Sequence, residues 1–297
     1  MNKYWIIVGI ALVILGAVLF ASSMSSSGWD FSKLSTQNLV TNSYDISRDF
    51  SAISVDTVTA DVIIAPTDGD KCKVVCLEEE KAKHSVDVID GVLTVKLIDE
   101  RKWHDHIGIN FSSPKITVYL PKKEYSDLSV KLITGDVDID SRFTFDSVAI
   151  SSATGDIRCR ASSKGSMNIT ATTGDISLKG VTAGDIALAL TSGDTLLTDV
   201  KCISLISAAT TGDIDMKNVV ADGKISIERS TGDIEFDRCD GGEVFIKTTT
   251  GDVEGSFLSG KIFTVSSTTG DVRVPQSTSG GKCEIKVTTG DIEITVE

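Results

Sequence analysis

From about residue 125 to the end of the chain, apolar and polar positions alternate in short runs, broken at fixed intervals by the dipeptide Gly-Asp. The dipeptide recurs at Gly135, Gly155, Gly174, Gly193, Gly212, Gly232, Gly251, Gly270 and Gly290, with steps of 19 or 20 residues. Two residues after each Gly stand Val137, Ile157, Ile176, Thr195, Ile214, Ile234, Val253, Val272 and Ile292. Four after it stand Ile139, Cys159, Leu178, Leu197, Met216, Phe236, Gly255, Val274 and Ile294, with a mostly polar residue between. Upstream, pairs such as Leu128/Val130, Val148/Ile150, Ile225/Ile227 and Val244/Ile246 repeat the alternation. A period of two means a strand with one face buried and one wet.

Each repeat therefore reads as strand, Thr-Thr-Gly-Asp corner, strand, and an extended return of about seven residues. None has room for a helix. A unit so small cannot bury its apolar side alone, but stacking coils at ~4.8 Å builds one shared interior. The predicted fold is all-β: a single-chain parallel β-solenoid, of the β-helix or β-roll kind, with 19–20-residue coils. A propeller blade needs ~40 residues, twice the observed repeat.

The code continues in degraded form before Gly135, with Ala60-Asp61 in place of Gly-Asp and Ile53, Val55, Val62 and Ile64 at apolar positions. Residues 45–132 are read as irregular N-terminal coils that cap the regular solenoid of 133–297. At the other end Ile294 and Val296 run to Glu297, which predicts an open strand edge and end-to-end or edge self-association at the C-terminal coil. Glu293 and Glu297 would discourage that pairing.

A different pattern governs the first residues. Tyr4 to Trp29 carry no charge, follow Lys3, and are almost wholly apolar from Trp5 to Phe20. Residues 1–24 are predicted to form one N-terminal transmembrane helix, with residues 4–24 in the membrane, followed by a Ser/Thr-rich linker over 25–44. With Lys3 the only nearby charge, the N-terminus is placed in the cytoplasm and the body outside a single-pass cell membrane protein. The alternative is secretion after cleavage near Ala21-Ser22-Ser23.

Composition narrows the chemistry. A net charge of −13 disfavours nucleic acid, which rewards basic stripes. Of six cysteines only Cys72 and Cys76 are close in sequence; several sit at positions other repeats fill with Val, Leu or Phe, and all are read as small buried hydrophobes. Of three histidines, His104 and His106 flank Asp105 in a charged insertion, Asp99–His106, read as a solvated loop. Coils of nearly constant length from Gly135 onward leave no material for a cleft, so no enzyme and no cofactor are expected.

The corner residues have two readings. Gly supplies a positive φ and Asp accepts turn N–H bonds, which accounts for every copy. Alternatively Asp136, Asp156, Asp175, Asp194, Asp213, Asp233, Asp252, Asp271 and Asp291 form a ladder binding Ca²⁺ between coils. The calcium β-roll has a nine-residue repeat with several Gly per turn, a density this chain lacks. The flanking pairs Thr172/Thr173, Thr210/Thr211, Thr249/Thr250, Thr268/Thr269 and Thr288/Thr289 offer a third idea, a flat recognition face. Alternation would turn one Thr of each pair inward.

The phrases TATTGDI, AATTGDI, RSTGDI, TTTGDV and VTTGDI, with FSAISVDTVTADVIIAP before them, resemble the bacterial putative-adhesin domain of unknown function over about residues 45–297. Its LiaG-like relatives belong to envelope-stress operons. The resemblance implies a membrane-anchored surface module that interacts with a protein or an envelope glycan. Its alternatives are an accessory of an envelope-stress sensory system or a passive structural spacer. It supplies no catalytic residues.

Overall fold

The computed structural model describes residues 3–26, 39–101 and 113–297. Helix α1 (Lys3–Ser26) is followed by strands only. Among the described residues no helix is long and apolar enough to cross a membrane. Within the span predicted as linker, 25–44, α1 extends to Ser26 and strand begins at Leu39; 27–38 lie outside the described residues.

The first strands are β1 (Leu39–Ile46), β2 (Ala52–Asp56), β3 (Asp61–Pro66), β4 (Cys72–Glu79), β5 (Ala82–Ile89), β6 (Val92–Asp99), β7 (Lys115–Leu120), β8 (Tyr125–Thr134) and β9 (Val137–Ile139). Next come β10 (Thr144–Thr154), β11 (Ile157–Cys159), β12 (Ser162–Ser163), β13 (Met167–Thr173), β14 (Ile176–Lys179) and β15 (Asp185–Ser192). β16 (Thr195–Thr211), β17 (Ile214–Thr231) and β18 (Ile234–Thr250) each run through a whole return without a break. β19 (Val253–Phe257), β20 (Lys261–Thr269), β21 (Val272–Arg273), β22 (Gly281–Thr289) and β23 (Ile292–Val296) complete the chain.

Parallel pairing sets equivalent residues over one another: Ile157 on Ile176, Thr195 on Ile214, Ile214 on Ile234. The inward columns are buried as the alternation demands, with Val137, Ile157, Ile176, Ile214, Ile234 and Val253 at 0% exposure. One continuous apolar cluster runs from Phe50 to Ile294. All six cysteines are buried and unbonded, and burial pushes the Cys72, Cys76, Cys159 and Cys283 thiols up to about 12. They stay protonated and unreactive at neutral pH.

Each coil turns at three places, which gives the rod three faces. The first corner is Gly-Asp. Six residues later Gly180, Asp199, Asn218 and Arg238 adopt left-handed φ of 52–67° and turn the chain again. A third column runs through Gly165, Gly184, Gly223 and Gly242, where backbones approach closely: a Cβ on Gly184 would lie 2.7 Å from the Gly165 carbonyl oxygen. The Gly-Asp at Gly184, out of phase with the other nine, belongs to this third corner.

At both ends the order in space departs from the order in the chain. β2 and β3 form the coil beneath Gly135, and β6 and β7 form the coil beneath that. That outer coil is closed by antiparallel strands, β5 against β6 and β4 against β7, with β1 against β4. The region 45–132 is thus two true coils plus an antiparallel cap. At the far end β22 and β23 insert between the Gly251 and Gly270 coils: β22 pairs β18 and β20, and β23 pairs β19 and β21. The predicted open edge at the C-terminal strand is therefore filled at Ile292 and Glu293 by β21, while Ile294–Val296 pair with β19 alone among the described residues. The chain skips a layer at Leu258–Gly260, and its last coil fills the gap.

Candidate interaction surface

The corner ladder is built by the backbone. All nine ladder glycines have φ between 125° and 145°. A Cβ on Gly155 would meet the Gly135 carbonyl oxygen at 2.0 Å, so only Gly allows the coils to stack at this corner. Each Asp then accepts, through Oδ1, the backbone N–H of the Asp one layer on. The series runs from Asp61 to Asp136, Asp156, Asp175, Asp194, Asp213, Asp233, Asp252, Asp291 and Asp271 at 2.7–3.1 Å. Asp61 joins it although Ala60 replaces Gly. One oxygen of each accepting carboxylate is committed to holding the next coil. Turn chemistry thus accounts for Oδ1 along the ladder without a cation.

Both threonines of each pair are exposed, contrary to the expected inward turn. Alternation ends two residues before Gly, because the chain is already leaving the strand for the corner. His104 and His106 lie outside the described residues. The third histidine, His84, was missed as a site residue, and it anchors a buried polar cluster in the cap.

His84 Nδ1 is 2.7 Å from Glu78 Oε2, its Nε2 is 2.8 Å from Thr57 Oγ1, and Asn42 Nδ2 donates to Glu78 Oε1 at 2.6 Å. Burial pushes the Glu78 carboxyl up, but hydrogen bonds from His84 and Asn42 outweigh it and hold it below its usual range. Cys76 Sγ, Glu78 and His84 place ligand-capable atoms within 4.8 Å of one another. Both nitrogens of the imidazole already have hydrogen-bond partners, so the cluster is satisfied as it stands. A carboxylate–imidazole–hydroxyl chain also resembles a hydrolytic relay, but the Thr57 residue is only 3% exposed.

A second polar intrusion lies within the rod. Arg229, 1% exposed, donates to Ser207 Oγ at 3.0 Å and Thr195 Oγ1 at 3.2 Å, while its Nε has no partner. Burial pulls its guanidinium down to about 10. The three residues stand on three successive coils: Thr195 and Ser207 between apolar neighbours, Arg229 between Ala209 and Thr248.

Outside, the faces differ in charge. After the Gly-Asp corner, Asp215, Glu235, Glu254 and Glu293 stack in register along a groove of about 720 Å³. Repulsion from Asp215, added to partial burial and the neighbouring Glu254, raises the Glu235 carboxyl. Before the corner the same coils carry cations. Lys224 Nζ is 4.6 Å and Lys282 Nζ 4.9 Å from the ring centre of Phe245. Lys247 and Lys286 flank them, paired to Glu228 at 2.6 Å and Glu284 at 2.5 Å. Lys282 and Lys286 together hold the Glu284 carboxyl down to about 2. Phe245 occupies an outward column otherwise filled by Ser129, Ala149, Asn168, Ala187, Ile206, Ser226, Thr264 and Glu284. A half-buried aromatic ring between two ammonium groups is the feature of this face best suited to grip a partner.

The coil spacing, corner sequence and pairing now meet a family comparison. Residues 50–241 and 208–297 match the Toastrack DUF4097 family. The chain belongs to that family. The solenoid also resembles a crystal structure described as a putative adhesin from Parabacteroides merdae ATCC 43184, at 14% identity, TM-score 0.55, and coverage of 88% of this chain and 97% of that one. A second, from Parabacteroides distasonis ATCC 8503 and described in the same words, gives 12% identity, TM-score 0.55, and coverage of 87% and 98%. At these identities the likeness concerns the fold. No curated protein matches the chain.

Proposed function

We propose that this Toastrack DUF4097 chain is an adhesion-type interaction module, carried as a rigid rod on a membrane anchor formed by α1. The observation that carries the reading is the Phe245 face. An aromatic ring flanked by Lys224 and Lys282 stands in a column of mostly small or polar residues, on a rod whose stacked coils already satisfy their own corners. Two solved relatives in fold are themselves described as putative adhesins, which fits. Support for the anchor comes from α1, whose described apolar side chains from Val8 to Phe20 all face solvent. A helix apolar all the way round needs lipid or protein about it. The reading assigns the chain no catalytic role.

Cells displaying the full chain should bind isolated envelope material, and the double variant Phe245→Ala, Lys224→Ser should lose roughly tenfold or more of that binding. Both side chains lie on the surface, so display levels and protease resistance should not change. Undiminished binding by the folded double variant would overturn this face as the contact, and removal of α1 without release from the membrane would overturn the anchor.

A further inference from the structure

The end of the rod remote from the cap is left open. Its outermost layer is the Gly270 coil, where β20 pairs with β22 alone and β21 with β23 alone among the described residues. Side chains that point inward there are not enclosed. Val272 is 43% exposed, whereas its equivalents Val253 and Ile292 are at 0% and 1%; Phe263, Val265 and Val274 are only partly buried. Every other ladder Gly donates its N–H to a Thr or Ser carbonyl of the adjoining layer; for Gly270 there is no such layer among the described residues.

Four features bear on what covers this end. From Ile262 to Gly281 only Asp271 and Arg273 are charged, and they lie 3.6 Å apart, with Arg273 also 3.3 Å from Glu293. Exposed edges usually carry Lys or Pro against pairing, and β20 has neither on its free run from Ile262 to Thr269; Pro275 comes only after β21. A net charge of −13 gives two copies a general repulsion, to which this end, with one Asp and one Arg between Ile262 and Gly281, adds nothing. An identical coil, finally, has the same perimeter and the same apolar cross-section. The cap end offers no free coil, because β5 covers β6 and β4 covers β7.

We propose that the open end binds the open end of a second copy. Two rods meet head to head about a two-fold axis, β20 runs antiparallel to its counterpart, and Phe263, Val265, Val272 and Val274 of both copies close one interior. The contact is isologous, so it stops at two and does not grow into a filament. This pairing goes beyond the surface-module reading and does not depend on the Phe245 face.

The test uses the full chain in detergent micelles. Ser266→Cys, exposed in the middle of β20, should give a covalent dimer with a short bifunctional thiol reagent; Ser85→Cys, exposed on β5 in the cap, should not. The native thiols are all buried and do not interfere. By sedimentation the wild type should be dimeric, and Thr264→Lys, which brings a like charge from each copy onto the shared edge, should weaken the dimer roughly tenfold or more. A wild type that stays monomeric would overturn the proposal. So would cross-linking of Ser85→Cys but not Ser266→Cys, or a dimer that Thr264→Lys leaves intact.

Discussion

At the scale of single residues, the rod depends on what lies directly beneath each side chain. A methyl group on Gly232 would fall 2.2 Å from the Gly212 carbonyl oxygen, at a φ of 141°. Gly180 has positive φ as well, at 67°, but open space around it. Gly232→Ala should therefore cost about 3 kcal/mol or more, combining backbone strain with a forced separation of coils. Gly180→Ala should cost only about 1 kcal/mol. Equilibrium urea unfolding of the two variants checks this, and equal losses would show that stacking distance is not what selects Gly at the ladder. The ladder was legible because one local chemistry is repeated nine times. The Arg229 cluster was half legible: Thr195 breaks the Ile/Val column and Ser207 breaks the apolar pairs, both visible in the string. That these breaks converge on Arg229 depends on two layers of stacking, which no local pattern encodes. His84 was hidden for a similar reason, since Glu78 and Thr57 reach it from separate strands.

At the scale of elements, alternation reveals strands but not their direction or neighbours. Val86–Leu97 alternates alike whether β5 and β6 pair in parallel or antiparallel. The signal that separates the two was Asp90-Gly91, with φ of 50° and 77°, the signature of a tight hairpin turn. Layer order at the far end was less accessible still, because β22 fits above the Gly251 coil as well as above the Gly270 coil by sequence alone. The inserted last coil has a measurable consequence. A chain ending at Ser277 loses β22 and β23, and with them the one layer that the Gly270 coil pairs with among the described residues. The Gly270 coil then has nothing to stack on, so two coils should unravel where removal of a terminal layer would cost one. Proteolysis followed by mass spectrometry should find 258–277 cut throughout, with protection resuming before Phe257. Persistent protection of 258–277 would mean that the Gly270 coil stacks on the Gly251 coil unaided.

At the scale of the whole molecule, the cap and the open end stand at opposite ends of a rod about 48 Å long, at ~4.8 Å per layer. The chain passes into the rod at β1, on the capped side, so an anchor at α1 leaves the open end facing away from the membrane. Two upright rods in one bilayer then point their open ends the same way and cannot join them. Rods on facing bilayers can. Head-to-head pairing combined with the anchor therefore predicts bridging between membranes, with a gap near or above about 100 Å from two rod lengths. Vesicles reconstituted with the full chain should cluster, and electron microscopy should show that spacing at the contacts. Thr264→Lys should abolish clustering, whereas Phe245→Ala should not, because the Phe245 face is on the side of the rod and not at its tip. Clustering that survives Thr264→Lys but fails with Phe245→Ala would assign adhesion to the side of the rod. Clustering lost in neither variant would place the adhesive contact outside both surfaces.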